Sequence, residues 1–419
     1  MKGGFTTENR RSRRGKCTGL LLCVLCASIV STPAQNIVAD GTSGRTAAPI
    51  TVTEEQVLSI VNRIPEFHLV TAHAEARRVA DKLNRHVTEF LEGVPWMPFH
   101  HTLGISGYEA YFNHPDELFY ALSVALPLLP KDTAARTKVF LAGTLARTPP
   151  YGADGFDHRR GRRRESYDVP NELRLTGAGK ATSALGVYAF WAYVHYTKDS
   201  GAAKAHWDAV RERVQPLLES EYHFDITRKN HHRDEAETLN GDLAGLIGFI
   251  RLARINGDSN AEQKALSRAG QLLESRVNLE RVNPKILEPT RATKSLHISK
   301  LARFVDLTPE IGEAVRTMTD GCGAAHLKAF REARNAWHLA FGDRLIGGEN
   351  YTNPLHFPRA LFAGAVFVEQ LPAEEMWSFI DVPWGKGDFY FVEKCAWALW
   401  AGSGRRWAFS GNEGTAAGN

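Results

Sequence analysis

Residues 238–258 read TLNGDLAGLIGFIRLARINGD, and this stretch decides the expected fold. Its large apolar side chains do not keep to one stripe of a helix; they are Leu243, Leu246, Ile247, Phe249, Ile250 and Leu252. A helix that is apolar on every side is typical of the interior of a large soluble protein. With about 16 helical residues and charges at Asp242, Arg251 and Arg254, it is too short and too polar for a membrane span. The stretch therefore predicts an inner helix.

Two further stretches follow the same plan. Residues 183–199 and residues 116–132 are broadly apolar and end at Lys-Asp, as residues 238–258 end at Gly-Asp. After the turns that end at Asp199 and Asp258, apolar residues recur at spacings of three and four, the pattern of a helix that lies on the outside. The predicted repeating unit is an inner helix, a tight turn and an outer helix. Elsewhere the periodicity predicts helices at 71–92, 309–319, 323–341, 359–370 and 388–401.

No segment alternates as a strand does, so the predicted fold class is all-α. About five or six such hairpins closed into a ring form an (α/α)6 toroid, in which inner helices line a barrel and outer helices cover it. An open α-solenoid has the same helix pairs without closure and is the alternative. The expected organisation is a signal peptide at 1–34, a flexible leader at 35–52, a single toroid domain at 53–402 and a Gly-rich tail at 403–419.

The charge of the chain is concentrated at its N-terminus. The 419 residues carry a net charge of +4, but residues 1–35 hold six basic side chains and one acid, and the remainder has 45 basic and 46 acidic side chains. This balance leaves no basic field for nucleic acid. A basic region followed by GLLLCVLCASIV and Thr32-Pro33-Ala34 predicts a secretory signal cleaved after Ala34, hence a secreted or periplasmic protein with no membrane partner after cleavage. An uncleaved anchor is the alternative.

The cysteines and histidines do not form a metal motif. Three of the five cysteines lie in the signal segment, which leaves Cys322 and Cys395. Cys395 belongs to an apolar helix, where a thiol packs like a small hydrophobe, so the two cysteines are predicted to be unbridged. The one CxxC, Cys23–Cys26, lies in the apolar run of the signal segment; HExxH and zinc-spaced Cys/His clusters are absent from the sequence, and no cofactor or metal is expected.

The long loops are predicted to share one face, because each precedes an inner helix while the short Lys-Asp and Gly-Asp turns share the other face. These loops contain aromatic side chains suited to stacking on sugars, and carboxylates and histidines suited to acid–base chemistry. The predicted catalytic cluster is Glu165, Tyr167, His231, His232, Glu237 and Asn240. The predicted substrate-binding residues are Asp157, Arg164, Trp384, His356, Tyr351, Asp388 and Tyr108.

Each group also has a purely structural interpretation. The arginine-rich run at 159–164 is more typical of a solvated loop than of a ligand clamp. Asn240 and Glu237 could do no more than cap or start their helix, which contributes about 1 kcal/mol. The N-terminus of the same helix would favour a carboxylate of the enzyme or of a uronate substrate.

The helices AFWAYVHYTKD and LAGLIGFIRLARINGD resemble the inner helices of the six-hairpin glycosidase-like superfamily. The resemblance covers residues 110–280 and, more loosely, extends to residue 400. It implies an (α/α) toroid of a secreted glycoside hydrolase or polysaccharide lyase, and it assigns no catalytic residue. The hypothesis is therefore an enzyme that cleaves a polysaccharide or oligosaccharide, by hydrolysis or by β-elimination at a uronate. A non-catalytic glycan- or protein-binding α-toroid is the alternative.

Overall fold

The computed structural model of the protein describes residues 48–69, 74–92, 115–152, 156–157, 162–163, 184–225, 227, 233–281, 307–319, 363–364, 366–367 and 389–402. Nearly all regular structure in these residues is helical, which confirms the predicted all-α class. The predicted helix at 323–341 lies outside them, and of the one at 359–370 only residues 363–364 and 366–367 are described, both in helical conformation.

The helices of the described residues are numbered here in chain order. They are α1 Glu54–Asn62, α2 Ala74–Leu91, α3 Pro115–Ala125, α4 Lys131–Leu145, α5 Leu185–Thr197, α6 Ser200–Ala205, α7 Trp207–Leu218, α8 Arg233–Asn256, α9 Ser259–Arg281, α10 Pro309–Met318 and α11 Phe389–Gly402. Two strands of two residues each, β1 Phe156–Asp157 and β2 Arg162–Arg163, pair antiparallel.

The described residues contain three of the predicted pairs of inner and outer helices, and two of these pairs use the same turn. Lys198 and Gly257 follow α5 and α8 with φ angles of 66° and 71°, in the left-handed region that commonly ends a helix. The next residue is an aspartate in both cases. Asp199 Oδ1 accepts from Ala202 N at 2.9 Å, and Asp258 Oδ1 accepts from Ala261 N at 3.0 Å. The aspartate therefore caps the outer helix at once, which explains why Lys-Asp and Gly-Asp mark these turns.

Three boundaries differ from the prediction. The inner helix expected at 116–132 ends at Ala125, and Lys131 and Asp132, expected to form a tight turn, belong to the first turn of α4. The inner helix expected at 238–258 begins five residues earlier, at Arg233, and has 24 residues. The outer helix expected after Asp199 is divided at His206 into α6 and α7. At the start of α8, residues 233–237 are helical where the periodicity predicted a loop. At His206, one predicted helix is divided into two.

The inner helices α5 and α8 run parallel at very close range. A Cβ atom added at Gly245 would lie 2.3 Å from Ala184 Cβ, and one added at Gly248 would lie 2.7 Å from Tyr188 Cα. Contacts that advance in the same direction along both helices define a parallel pair. The two glycines are required because any side chain there would overlap the neighbouring backbone.

The remaining helices extend this pair into a buried layer. In spatial order, α11 packs on α3, α3 on α5, α5 on α8, and α8 on its outer partner α9. Trp397 Nε1 of α11 donates to the Tyr120 hydroxyl of α3 at 3.0 Å, and the Tyr120 and Tyr188 rings lie edge to face. Trp191 and Tyr193 are buried, as expected of core residues. Helix α2 contacts both α11 and α4.

Candidate functional site

Most of the predicted site residues lie outside the described part of the chain. They are Glu165, Tyr167, His231, His232, Arg164, Trp384, His356, Tyr351, Asp388 and Tyr108. Asp157 is in β1, paired with Arg162, and Glu237 is in the second turn of α8; for both, the backbone alone is described. Asn240 is the predicted site residue whose side chain is described, and its role in catalysis stays a prediction.

Asn240 lies in the middle of a buried polar group between α8 and α9. Its side chain is fully buried, and its Oδ1 accepts from Arg276 Nε at 2.6 Å. Arg276 also donates to Glu280 Oε1 at 2.8 Å, within α9. Because α8 begins at Arg233, Asn240 is two turns inside the helix, and the interpretation that it only caps α8 is wrong.

Asp242 connects α8 to the beginning of α5. Its Oδ1 accepts from the backbone N of Ala184 at 2.9 Å, so it satisfies an amide at the start of the neighbouring inner helix and not of its own. Burial lowers the pKa of Arg213 and of Arg268, and the nearby Asp242 carboxylate partly opposes this shift in both. Asp242 therefore joins α8 to the start of α5 and lies near arginines of α7 and α9.

A second buried carboxylate, Glu235, stands at the first turn of α8. It is 1% exposed and accepts a short hydrogen bond from the Tyr222 hydroxyl. Arg268 of α9 holds the segment that carries Tyr222, because it donates to the carbonyl oxygens of Leu217 and Tyr222, both at 3.0 Å. The phenol and the carboxylate thus meet in a rigid environment.

These groups together form what is called here the polar end of α8: Glu235, Thr238, Asn240, Asp242, Tyr222, Arg276 and Glu280. Sequence reasoning did not select Glu235 or Arg276 as site residues. A signal was present, since Glu235, Thr238 and Asp242 recur at spacings of three and four and share a face of the helix. Chemically, the polar end offers carboxylates, a phenol, an amide and a guanidinium in a water-poor setting.

A different polar cluster lies near the other end of α8. Arg251 donates to Glu310 Oε1 at 2.8 Å, to the carbonyl oxygen of Val61 at 2.9 Å and to that of Arg63 at 3.0 Å. Its guanidinium carbon lies 4.1 Å from the centre of the Trp191 ring. This arginine joins α8, α10 and the C-terminal end of α1. Its contacts are those of a structural tether.

Comparison with protein-family models, with curated proteins and with solved structures finds no match to this chain. Within the described ranges, no group of three or more His, Cys, Asp or Glu residues is arranged to hold a metal ion. Among the helices described, none is long and apolar enough to cross a membrane. Cys395 is a free, buried thiol whose pKa burial raises to about 12, and Cys322 lies outside the described residues.

Proposed function

We propose that this chain is an exported carbohydrate-active enzyme that cleaves glycosidic bonds at the end of the helical layer where α5 and α8 begin. The observation that carries the proposal is the parallel pairing of these two inner helices. Asp242 bonds to the amide of Ala184, so α8 extends about three turns beyond the start of α5. In sequence, residues 153–183 precede α5 and residues 226–232 precede α8, and these segments hold most of the predicted catalytic residues.

The residue types in and next to the segments that precede α5 and α8 support this location. Glycosidic cleavage by hydrolysis needs one carboxylic acid that protonates the leaving oxygen and one carboxylate that acts as base or nucleophile. This pair would be drawn from the predicted carboxylates Asp157, Glu165, Asp168, Glu237 and Asp388. In β-elimination, Tyr167 or His231 would remove the C5 proton of a uronate whose carboxylate Asn240 and Arg164 would bind. The C4–O bond would then break as the C4–C5 double bond forms, and the departing oxygen would take a proton from Tyr167 or His231 acting as the acid.

The proposed architecture is the closed (α/α) toroid. The repeated hairpins and the order α11, α3, α5, α8 along the layer are the observations that support it. In a toroid the loops before the inner helices surround one mouth, so a polysaccharide would enter there and meet the polar end of α8.

The test is cleavage of a panel of polysaccharides by the exported protein, followed by reducing ends and by ultraviolet absorbance of an unsaturated product. Reducing ends without absorbance indicate hydrolysis, and both signals together indicate β-elimination. Glu165→Gln should abolish cleavage, whereas the matched control Glu212→Gln, an exposed position on α7, should keep it. Absence of cleavage across the panel, or equal loss in both variants, would overturn the proposal.

A further inference from the structure

A polar groove of about 530 Å³ lies on the outer side of α9, away from the polar end of α8. Its floor is formed by α9 near Gly270, and its two walls are the extended segments 49–52 and 223–224. The volume is within the range of small-ligand sites, roughly 300–1,000 Å³. Arg276 and Glu280 bond on the α8 side of α9, so α9 separates the groove from the proposed site.

Side chains of α9 hold both walls in place. Asn278 makes two bonds to Ile50, accepting from its N at 2.8 Å and donating to its carbonyl oxygen at 2.7 Å. Glu274 Oε2 accepts from Val52 N at 3.0 Å. On the opposite wall, Ser275 Oγ accepts from Phe224 N at 3.0 Å. The groove is therefore formed before any ligand arrives, which lowers the entropic cost of binding.

The groups that line the groove suit hydroxyl-rich ligands. Gln271 Oε1 accepts from Arg268 Nη1 at 2.7 Å, which orients the amide group of Gln271 and leaves its NH₂ as a donor. Glu274 uses one oxygen on the wall and has a second that accepts. Ser267 is exposed on the same face and can do both, and the Phe224 ring contributes an apolar surface.

The charge of the groove selects against acidic ligands. Among its lining residues in the described chain, Glu54 and Glu274 carry carboxylates, His223 carries an imidazole, and no lysine or arginine is present. A uronate or sulfated sugar would place like charges together, which is unfavourable. Neutral hydroxyl groups can donate to these carboxylates without that cost.

We infer that this groove is a second, non-catalytic binding site for a neutral glycan chain. The inference rests on the proposed function, because it takes its ligand class from the same substrate. A chain held along α9 would keep the enzyme on its polysaccharide while the proposed site acts on it.

Gly270 has room for a Cβ atom, so a side chain can be introduced at this position on the floor of the groove. A Cβ atom there would meet one atom within 4 Å, Val57 Cγ2 at 3.6 Å, which is ordinary contact. Gly270→Phe should fill the groove, and Gly270→Ala is the matched control. Ser267→Ala is a second, milder variant at an exposed position.

The experiment is affinity electrophoresis of the full chain through gels that contain a neutral polysaccharide or a polyuronate. Neutral polysaccharide should retard the wild type and Gly270→Ala equally, and Gly270→Phe should bind at least about tenfold more weakly, a loss of about 1.4 kcal/mol. Ser267→Ala should bind a few-fold more weakly. Equal retardation of Gly270→Phe and wild type, with Ser267→Ala unchanged, would overturn the inference, as would a loss confined to polyuronate.

Binding and cleavage separate the two proposals. If the wild type cleaves polysaccharide and Gly270→Phe binds it as well as the wild type, the groove is not a glycan site and the proposed enzymatic function stands. Retardation that Gly270→Phe abolishes, in a protein that cleaves no polysaccharide, removes the enzyme and leaves the groove as a glycan site.

Discussion

Arg251, a residue of α8, and Arg276, a residue of α9 that contacts α8, are two buried arginines with different partners. Arg251 is 4% exposed and donates to backbone carbonyl oxygens at the C-terminal end of α1, to Glu310 and onto the face of Trp191. Arg276 is fully buried and donates to the side chains of Asn240 and Glu280. A guanidinium bonded to the backbone of other elements fixes how they pack.

The comparison predicts a division of labour along α8. The Arg251 cluster should matter for the free energy of unfolding and little for the chemistry. The Arg276 cluster adjoins the proposed site, so changes there should reduce glycan cleavage more than stability. Four measurements test or refine this division.

The largest effect is expected from Arg251→Met. It leaves Glu310, which is 0% exposed, without its cation, and breaking a buried pair in this way costs about 3–5 kcal/mol of the free energy of unfolding. Denaturant unfolding measures the cost. In the double variant Arg251→Met/Glu310→Gln the loss should be smaller than the sum of the single losses by about 1 kcal/mol or more. A single variant within about 0.5 kcal/mol of wild type would remove the structural role assigned to Arg251.

The close contact of α5 and α8 should be the next most sensitive feature. Gly245→Ala places a methyl group 2.3 Å from Ala184 Cβ and should cost about 3 kcal/mol, the upper part of the usual range for overpacking. The matched control Gly270→Ala has room and should gain up to about 1 kcal/mol from helix propensity. Losses of equal size in both variants would contradict the close parallel pairing.

Acid should weaken the fold through a histidine and not through either arginine. Burial, helped by the charge of Arg85, lowers the pKa of His86 from 6.5 to about 3. The unfolded chain therefore takes up this proton first as pH falls, so the contribution is complete above pH 6.5 and is lost from there towards about pH 3. Between pH 7 and pH 5 the free energy of unfolding should fall by about 2 kcal/mol from this residue.

A matched variant isolates the contribution of His86. His86→Phe should remove about that part of the difference between pH 7 and pH 5 in denaturant unfolding. The pKa of His195 is also lowered by burial, to about 4, so its contribution changes in the same direction over the same pH range and remains in His86→Phe. An unchanged pH dependence in His86→Phe would show that His86 is accessible to protons in the native state.

The smallest effect on stability, with the largest effect on activity, is expected from Asn240→Ala. Arg276 keeps its bond to Glu280, so the loss of one acceptor should cost about 1–2 kcal/mol and lower the melting temperature by a few degrees. Cleavage should be abolished if Asn240 belongs to the site. Full activity in a variant that only melts earlier would make Asn240 a structural partner of Arg276.

The sequence by itself was sufficient for the local part of the fold. The apolar stretch 238–258 and its two counterparts correspond to α8, α5 and α3, because helix periodicity depends on residues three and four apart. Two of the three turns were equally readable, whereas Lys131 and Asp132 lie in the first turn of α4. Asp199 and Asp258 each cap the helix that follows by accepting from the backbone N three residues on. Gly257 tolerates the left-handed backbone that the turn requires.

The tertiary structure decided which polar residues are buried and why they are tolerated there. Glu235 and Asn240 are tolerated in the interior because Tyr222, 13 residues away, and Arg276, 36 residues away, supply their hydrogen bonds. Arg251 is buried because the end of α1 and Glu310 meet it from 190 and 59 residues away in the chain. Such partners compensate the cost of removing charge from water, and their identity depends on packing between elements and not on the pattern within one.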